Sequence, residues 1–384
     1  MRVLITAVGQ RTEHWLELFE MLTEQPDLEL TVVTGDVTGS TRQSLGRLAD
    51  TAPGFTHRHL PHIMSEARTG HMASVVFDPR ALRAVDGTGT DVVHVIGEAG
   101  YLSTWQVLRW RERRCRTSAL TCYAAQNVLS RYPPPFPWLE RRAYRAVDEF
   151  FAVSEAARQV LYNKGYRGRT AIVPLGVDTR RFAPSGPSPA DRPFTVGFVG
   201  RLEPHKGIDD LLCAVEQVGC ELLVIGAGSQ APAVRAAAGR GGIELHEWVD
   251  HAELPALLGR MDALVLPSKP VVQRNVVPWI GIPLQEQFGR VLVEAMACGI
   301  PVLGSDVGEI PNVIGDAGLI FPAGDADALA TRIRWLRDRP AAARRLGVAG
   351  TARVKAHFGW DRVAARMAGS WRTVHSRDRK EVRT

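Results

Sequence analysis

Two carboxylates flank the predicted start of a helix in residues 286–302, which are Glu-Gln-Phe-Gly-Arg-Val-Leu-Val-Glu-Ala-Met-Ala-Cys-Gly-Ile-Pro-Val. The pattern predicts a helix from about Arg290 to Cys298. Glu286 then lies in the loop before the helix, and Glu294 lies about one and a half turns inside it. Free N–H groups and the helix dipole favour phosphate or sugar oxygens at this end, where Glu286 can accept hydrogen bonds from hydroxyl groups. The alternative is that Glu286 only complements the dipole and Glu294 lies on a solvated face.

Two cations precede a second predicted helix start in residues 199–212, which are Val-Gly-Arg-Leu-Glu-Pro-His-Lys-Gly-Ile-Asp-Asp-Leu-Leu. The segment follows a strand and opens a helix near Gly207, so Arg201 and Lys206 project from a loop where a phosphate can meet the helix N-terminus. Two fixed cations and backbone donors would neutralise a diphosphate, both on binding and as charge grows on a leaving group. The alternative is a pair of exposed basic residues in a polar loop.

A glycine-rich loop follows the next predicted strand. Its sequence, Gly226-Ala-Gly228-Ser-Gln-Ala231, fits the dinucleotide pattern Gly-x-Gly-x-x-Ala. That fingerprint normally opens its domain, whereas this loop follows the second strand of its domain. We assign it to a nucleotide-facing loop, with a simple tight turn as the alternative.

The first half of the chain offers two ionisable candidates in residues 91–98, which are Asp-Val-Val-His-Val-Ile-Gly-Glu. His94 is expected to end a strand and face a cleft, either as a hydrogen-bonded packing residue, which is the commoner role, or as a base. Glu98 lies in the following loop and is the better candidate to bind an acceptor. The histidines at positions 57, 59, 62 and 71 lack the spacing of metal ligands, so we predict no metal site.

Composition indicates a folded chain with two domains. The 384 residues are 45% hydrophobic and 23% charged, with a formal net charge of +6, which suggests two domains and an anionic ligand or surface as partner. No apolar run approaches the roughly 18 residues that a membrane-spanning helix needs. The first residues indicate a β-strand rather than a signal peptide. Five cysteines without a Cys-x-x-Cys pair favour reduced thiols and a cytoplasmic location.

Apolar runs of about five residues alternate with helical patterns, which predicts βαβ units and parallel sheets. One series of strands ends at residues 171–174, and a second begins afresh at Phe194. The proline-rich stretch 184–193 is the predicted linker. We therefore predict an α/β fold of two doubly wound domains, 1–183 and 194–359, with a crevice for a substrate that bridges them. Helices follow the predicted N-cap Asp325, and the basic tail 377–384 is expected to fray.

A larger set of motifs runs in order along nearly the whole chain: Val153-Ser154, Ile172-Val-Pro-Leu-Gly-Val-Asp178 with Phe182, Gly200-Arg-Leu-x-x-x-Lys206-Gly, Glu286-x7-Glu294, Gly304-Ser-Asp-Val-Gly-Glu-Ile-Pro311 and Phe358-Gly-Trp360. This set resembles the family 4 glycosyltransferases, which are retaining nucleotide-sugar enzymes with two Rossmann-like domains facing across a cleft, the GT-B fold. The resemblance implies a metal-independent hexosyltransferase without a cofactor. It also implies that the helix at residues 360–376 packs back onto the first domain.

The resemblance also implies roles for individual residues. In such enzymes the counterparts of Arg201 and Lys206 bind the donor diphosphate. The counterpart of Glu294 holds the ribose hydroxyls, and the loop that begins at Glu286 contacts the donor sugar. The implied catalytic residues are Glu286, Lys206 and Arg201, and the implied donor-binding residues are Gly9, Gly200, Gly226, Gly228, Phe288, Gly289, Arg290, Val291 and Glu294.

The chain departs from the family pattern in the first domain. Many relatives place a His in the segment that matches residues 121–127, whereas Thr-Cys-Tyr-Ala-Ala-Gln-Asn has none. A hydrogen bond from Gln126, Asn127 or Tyr123 would replace it, and the choice between them stays open here. The acceptor-side or sugar-side candidates are His94, Glu98, Tyr123, Gln126 and Asn127.

Two further departures concern loops. Gly9 stands alone where relatives often have paired glycines that approach the phosphates. The stretch 269–285 is rich in Val and Pro and is longer than usual. We expect a surface excursion there, with a lid over the donor as the alternative.

The expected function is the transfer of a sugar from a UDP- or GDP-type nucleotide sugar to an acceptor hydroxyl on a natural-product-like small molecule or a glycan. Alternatives are a nucleotide-sugar epimerase or phosphorylase on the same scaffold, and a non-catalytic nucleotide-sugar-binding partner. The basic and aromatic segments 109–116 and 132–145 fit a solvated helix face in preference to a membrane surface. No nucleic-acid-binding module accompanies them, so no nucleic-acid partner is expected.

Overall fold

The computed structural model describes residues 1–69, 72–130, 132–186, 192–274 and 281–381. Two compact units divide the chain: Met1–Pro174 with Trp360–Thr384, and Leu175–Gly359. The division falls before residue 183 because Val177 already belongs to the second unit, where its N–H donates to the Phe358 carbonyl at 2.9 Å. Residues 187–191 of the predicted linker, 275–280 of the predicted excursion and 382–384 of the predicted tail lie outside the described residues.

The first unit is built on a parallel β-sheet. Its strands are β1 (Arg2–Val8), β2 (Glu29–Gly35), β3 (Phe55–His59), β4 (His62–Met64), β5 (Val76–Phe77), β6 (Val92–Ile96), β7 (Ala119–Ala124), β8 (Glu149–Ala152) and β9 (Arg169–Ile172). Over the described residues, seven of them form one sheet in the order β3-β2-β1-β6-β7-β8-β9. The β4 and β5 strands pair with each other antiparallel.

The second unit repeats this architecture. Its strands are β10 (Thr195–Val199), β11 (Glu221–Ile225), β12 (Ile243–His246), β13 (Ala263–Leu266), β14 (Val271–Arg274), β15 (Gly281–Leu284), β16 (Val302–Ser305) and β17 (Gly318–Phe321). Six of the described strands form a parallel sheet in the order β12-β11-β10-β13-β16-β17. The β14 and β15 strands form an antiparallel pair within the predicted excursion.

Helices connect the strands of both sheets. They are α1 (Leu16–Thr23), α2 (Gly39–Thr51), α3 (Glu66–Thr69), α4 (Pro79–Arg83), α5 (Leu102–Arg114), α6 (Phe136–Ala146), α7 (Glu155–Asn163), α8 (Ile208–Val218), α9 (Ala231–Ala238), α10 (Leu254–Leu258), α11 (Arg290–Ala297), α12 (Ile310–Ile314), α13 (Ala326–Arg337), α14 (Pro340–His357) and α15 (Trp360–Glu381). The predicted N-cap is confirmed, since Asp325 accepts the Ala328 N–H at 2.8 Å. Within the described ranges, no helix has both the length and the apolar character that crossing a membrane requires.

Burial on both faces explains why apolar runs predicted these strands. Every residue of β6 and of β13 is buried, as expected for a parallel sheet covered by helices on both sides. The β3 strand was not predicted, because Phe55-Thr-His-Arg-His lies at the sheet edge and Phe55 is its one buried residue. The partly exposed edge strands β9, β12 and β17 were nevertheless predicted, so the polar residues of β3, and not its edge position alone, explain why it was missed.

The last helix belongs to the first unit and is anchored by two tryptophans. Trp360 and Trp371 are 1% and 0% exposed. The Trp360 Nε1–H donates to Glu17 Oε2 at 2.8 Å, and the Trp371 Nε1–H donates to Thr121 Oγ1 at 3.1 Å. Because a buried indole N–H needs a partner, these bonds specify which face of α15 packs on the sheet.

A close backbone approach joins the loops that follow β10 and β11. Gly226 has a φ of +146°, and a Cβ atom there would lie 1.9 Å from the Gly200 carbonyl oxygen. The Gly200 N–H donates to the Ile225 carbonyl at 2.9 Å, and the Leu202 N–H donates to the Ala227 carbonyl at 2.8 Å. Glycine at position 226 is therefore required to hold the loop that carries Arg201.

Gly226→Ala is expected to lower the thermal unfolding midpoint. The new methyl group would overlap the Gly200 carbonyl, and a rarely populated backbone conformation alone costs about 1–3 kcal/mol. Gly239→Ala is the matched control, because Gly239 has helical dihedral angles and ordinary contacts around its Cβ position. Differential scanning calorimetry measures both variants, and equal midpoints would contradict the close approach.

Candidate active site

The predicted cations Arg201 and Lys206 lie in the second unit, at the point where the order of its strands reverses. From β10 the chain adds β11 and β12 on one side, whereas β13, β16 and β17 extend the other side. Ligands of open α/β sheets bind beyond the carboxyl ends of the strands at such a point. The loop at residues 200–207 follows β10, and Ser268 lies just after β13, so both are placed at this edge.

Lys206 and Glu286 form an ion pair at this edge. The Lys206 Nζ lies 2.5 Å from Glu286 Oε2, which also accepts a hydrogen bond from Ser268 Oγ at 2.9 Å. The two charged side chains are 16% and 14% exposed, so water reaches them poorly. Burial alone would raise the pKa of Glu286, but the Lys206 charge and the hydrogen bonds from Lys206 and Ser268 outweigh it and hold the pKa below its usual value. Glu286 is therefore an ionised carboxylate at neutral pH.

The backbone at Gly207 places Lys206. Lys206 ends a 3-10 helix, Pro204–Lys206, and Gly207 follows as the N-cap of α8 with a φ of +68°. A Cβ atom at Gly207 would lie 2.0 Å from the Pro267 carbonyl oxygen. The tight turn therefore packs the end of the Lys206 loop directly against the end of β13, next to Ser268.

Arg201 lies on the same loop, and its side chain is exposed. Burial lowers the pKa of the neighbouring His205, and the charges of Lys206 and Arg201 lower it further. These three basic side chains therefore interact electrostatically. Glu286 and Glu203 oppose this effect on His205, so Lys206 and Arg201 are the cations that this loop offers to an anionic ligand.

The predicted helix start beside Glu286 is confirmed. The α11 helix begins at Arg290 after Gly289, an N-cap with a φ of +79° and no side-chain cap among the described residues. N–H groups of a first helical turn have no partner inside the helix, and the dipole makes this end positive. Val291 is 9% exposed and Phe288 is 3% exposed. The Phe288 ring meets Phe358 edge-on at 5.6 Å, so Phe288 anchors the loop in the unit.

Glu294 does not lie on a solvated face, so that alternative is wrong. Glu294 is 5% exposed. Its Oε1 lies 3.0 Å from Arg290 Nε and 3.1 Å from His251 Nε2. The His251 ring packs against Phe182 at 5.2 Å. Sequence reasoning missed His251, and the signal that could have indicated it is its place in the loop after β12.

The glycines of the two neighbouring loops have a packing role. A Cβ atom at Gly228 would lie 2.5 Å from the Leu202 carbonyl oxygen, which adds to the approach between Gly226 and Gly200. These contacts agree with glycines that allow two backbones to meet. That the same loops bind the donor stays a prediction.

Gly9 follows β1 in the first unit, and a carboxylate lies against it. A Cβ atom at Gly9 would lie 2.9 Å from Glu66 Oε2. The Gln10 N–H donates to the same oxygen at 3.4 Å. The backbone at this loop therefore binds an anionic group of the chain itself, and a phosphate contact at Gly9 stays a prediction.

The expectation that His94 ends its strand and faces a cleft is wrong. His94 is the third residue of β6 and is 0% exposed. Its Nδ1 shares a hydrogen bond with Thr121 Oγ1 at 2.8 Å, and its ring packs 5.1 Å from Phe151 and 5.4 Å from Trp371. Burial lowers the pKa of His94 to about 3. His94 is a neutral packing residue under α15.

Glu98 and Gln126 meet beyond the carboxyl ends of β6 and β7. The Glu98 Oε1 accepts the Ala125 N–H at 2.7 Å and the Gln126 N–H at 3.0 Å. Burial raises the pKa of Glu98 to about 7. Tyr123, 5% exposed, lies in β7 beside them, and Asn127 is half-buried in the following loop. The first unit therefore carries a polar cluster of its own.

Family models and curated relatives match most of the chain. The model for Glycosyltransferase Family 4 matches residues 12–181, and the model for Glycosyl transferases group 1 matches residues 193–339. The chain is 32% identical to the phosphatidyl-myo-inositol mannosyltransferase of Mycobacterium leprae, over 79% of this chain and 80% of that protein. It is 31% identical to the glycogen synthase of Mycobacterium tuberculosis over 51% of this chain, and the match spans about half, 47%, of that protein's length.

A solved structure shares the fold. The Anabaena protein Alr3699/HepE, solved in complex with UDP, matches with a TM-score of 0.71 at 15% identity, over 97% of this chain and 99% of that one. Together with the two parallel-sheet units, this likeness confirms the predicted GT-B fold class. The family models and the extent of the mannosyltransferase match show that the chain belongs to the family 4 glycosyltransferases.

Proposed function

We propose that this protein is a retaining glycosyltransferase, which moves a sugar from a UDP- or GDP-type nucleotide sugar to an acceptor hydroxyl. The observation that carries the proposal is the shielded ion pair of Lys206 and Glu286 beside the start of α11. A cation and free N–H groups are complementary to a diphosphate, and an ionised carboxylate is complementary to sugar hydroxyls. Both parts of a nucleotide sugar therefore have a matching group at one edge of the second unit.

The leaving group explains the need for cations. When the bond between the sugar and the diphosphate breaks, negative charge grows on the diphosphate oxygen. Lys206, Arg201 and the N–H groups at 289–291 stabilise that charge, and prearranged donors of this kind are often the largest contribution to catalysis. Because these groups supply the positive charge themselves, we propose that the reaction needs no metal ion or cofactor.

Glu286 binds the sugar in this proposal. An ionised carboxylate accepts hydrogen bonds and donates none, so it is suited to sugar hydroxyl groups. As the bond between the anomeric carbon and the diphosphate oxygen breaks, the acceptor hydroxyl oxygen bonds to that carbon from the face that the diphosphate leaves, and the hydroxyl proton passes to the departing phosphate oxygen. Attack on that face retains the configuration of the anomeric carbon.

Glu294 binds the ribose of the donor. Its carboxylate is held by Arg290 and His251, which limits its movement and preorganises it for a pair of hydroxyl groups. The loop glycines Gly200, Gly226 and Gly228 allow the backbone to approach the nucleotide. These assignments carry the family pattern over to the matching residues of this chain, and the burial and the two partners of Glu294 support the first of them.

The names of the relatives agree with sugar transfer, and a neighbour in fold was solved with a nucleotide. The Mycobacterium leprae protein is named a mannosyltransferase, the Mycobacterium tuberculosis protein is named a glycogen synthase, and the Anabaena structure was solved with UDP. One name refers to a phosphatidyl-inositol and the other to a polysaccharide. The two names differ in acceptor, and for this chain we propose an acceptor hydroxyl on a small molecule or a glycan.

A panel of radiolabelled UDP- and GDP-sugars, with EDTA present and sugars offered as acceptors, tests the proposal. We expect transfer, or slow donor hydrolysis, and a product with the anomeric configuration of the donor by NMR. Tight binding without turnover would indicate a nucleotide-sugar-binding partner instead. A changed sugar in the recovered donor would indicate an epimerase, and phosphate-dependent release of a sugar phosphate would indicate a phosphorylase.

Lys206→Ala is expected to lower kcat/KM for the donor about 100-fold, because removing one preorganised donor typically costs about 10²–10³. Glu286→Ala is expected to lower it by a similar factor, because the change removes the acceptor for the sugar hydroxyls and leaves the Lys206 charge shielded and unpaired. Arg192→Ala is the matched control, since Arg192 pairs with Asp262 at 2.8 Å before the amino end of β10. The double variant Lys206→Met/Glu286→Gln leaves no unpaired buried charge and keeps the test valid if a single variant unfolds. Wild-type values of kcat/KM in the Lys206 and Glu286 variants would contradict the assignment of these two residues to the active site.

Glu294→Gln is expected to raise the KM for the donor about 10-fold and to change kcat much less, because a lost ribose contact weakens ground-state and transition-state binding alike. Initial rates over a range of donor concentrations measure both constants. Glu221→Gln, an exposed substitution at the start of β11, is the control and should leave both unchanged. A fall in kcat at unaltered KM would contradict a ribose-binding role.

A further inference from the structure

A lysine that the proposed chemistry does not use connects three elements of the first unit. Lys164 follows α7, and its Nζ lies 2.8 Å from Gln126 Oε1 and 2.5 Å from Glu140 Oε1 in α6. The ammonium group also lies 4.8 Å from the centre of the Tyr132 ring. The Lys164 and Glu140 side chains are 8% and 13% exposed. We call Lys164, Glu140 and Gln126 the Lys164 cluster.

The cluster determines which way the Gln126 amide points. An ammonium group only donates hydrogen bonds, so the amide atom that faces Lys164 must be the oxygen. The amide nitrogen, Nε2, then points away from Lys164. It is buried and has no hydrogen-bond partner among the described residues. The backbone of the loop is fixed as well, because Glu98 accepts the N–H groups of Ala125 and Gln126.

A second buried group in this region also lacks a partner. Tyr123 is 5% exposed, and its hydroxyl group makes no hydrogen bond within the described part of the chain. Burial raises the pKa of Tyr123, and the charge of Glu98 raises it further. Buried polar atoms without partners are rare in folded proteins. Two of them, one on β7 and one in the loop that follows it, indicate a place for a polar ligand at the carboxyl end of this strand.

We propose that Lys164 is a positioning residue that locks the Gln126 amide with its NH2 group toward a sugar oxygen, so that Gln126 donates a hydrogen bond to the substrate. The inference rests on the proposed glycosyl transfer. It specifies which side chain donates a hydrogen bond to the sugar in this chain, whose segment 121–127 lacks the histidine of many relatives. Lys164 is paired with Glu140, so the Lys164 cluster has no excess positive charge. An uncharged hydroxyl or ring oxygen fits this environment better than a phosphate.

A double-mutant cycle tests whether Lys164 acts through Gln126. Lys164→Met and Gln126→Ala are each expected to lower kcat about 10-fold with the nucleotide sugar that the panel identifies. Lys164→Met in the Gln126→Ala background should have no further effect, and Lys164→Arg should retain most of the activity because it still donates to the amide oxygen. Additive losses would overturn the proposal, because they would show that Lys164 acts independently of Gln126.

The control variants distinguish a positioning role of Lys164 from a role in folding. The two activity assays distinguish a donor sugar from an acceptor as the partner of Gln126. Lys164→Met/Glu140→Gln leaves no unpaired carboxylate and should match Lys164→Met, whereas Arg158→Met, which removes an exposed ion pair on α7, should match the wild type. Loss of both donor hydrolysis and transfer identifies the donor sugar as the partner of Gln126. Loss of transfer alone identifies the acceptor.

A measurement without turnover tests the orientation itself. In the full chain, the Gln126 side-chain NH2 signals are assigned by their disappearance in Gln126→Ala. We expect a rigid amide in the wild type and a mobile one in Lys164→Met, by ¹⁵N relaxation. Unchanged amide mobility in Lys164→Met would overturn the positioning role. A wild-type protein inert toward every nucleotide sugar would instead overturn the proposed function, so the two failures are distinguishable.

Discussion

The ion pair between Lys206 and Glu286 is the constraint on which the site in the second unit depends. Taking two charges out of water is costly, and the cost is offset only while the charges stay paired and hydrogen-bonded. Glu286 is therefore held by Lys206 and Ser268, and its backbone carbonyl accepts the Glu309 N–H at 3.1 Å. The pair ties the loop after β10, the end of β13 and the loop before α11 to one another. A substrate with a diphosphate and hydroxyl groups offers new partners to both charges at once.

Each unit uses the same physical device at the carboxyl edge of its sheet. In the second unit the shielded pair is Lys206 with Glu286, and in the first it is Lys164 with Glu140. A lysine in such a pair has donors to spare, since an ammonium group has three. In the first unit Lys164 donates one of its three N–H groups to the Gln126 oxygen. The lysine of a charged pair therefore also orients a neutral amide.

Local sequence patterns predicted the elements that carry the site, but not the pairings between distant residues. Strands buried on both faces appear as continuous apolar runs, and the glycine before α11 is visible as a helix start. Lys206 and Glu286 are 80 residues apart, Lys164 and Gln126 are 38 apart, and His251 and Glu294 are 43 apart. No local periodicity encodes such pairs. His94 shows the same limit, because its neighbours predict a strand but not the distant α15 that covers it.

The most direct test of the central claim is a crystal structure with an intact nucleotide sugar bound. We predict diphosphate oxygens at hydrogen-bonding distance, about 2.7–2.9 Å, from the Lys206 ammonium group. The same diphosphate should meet the first N–H groups of α11, with the Glu286 carboxylate facing the sugar hydroxyls. A diphosphate bound away from Lys206 and from the start of α11 would contradict the account.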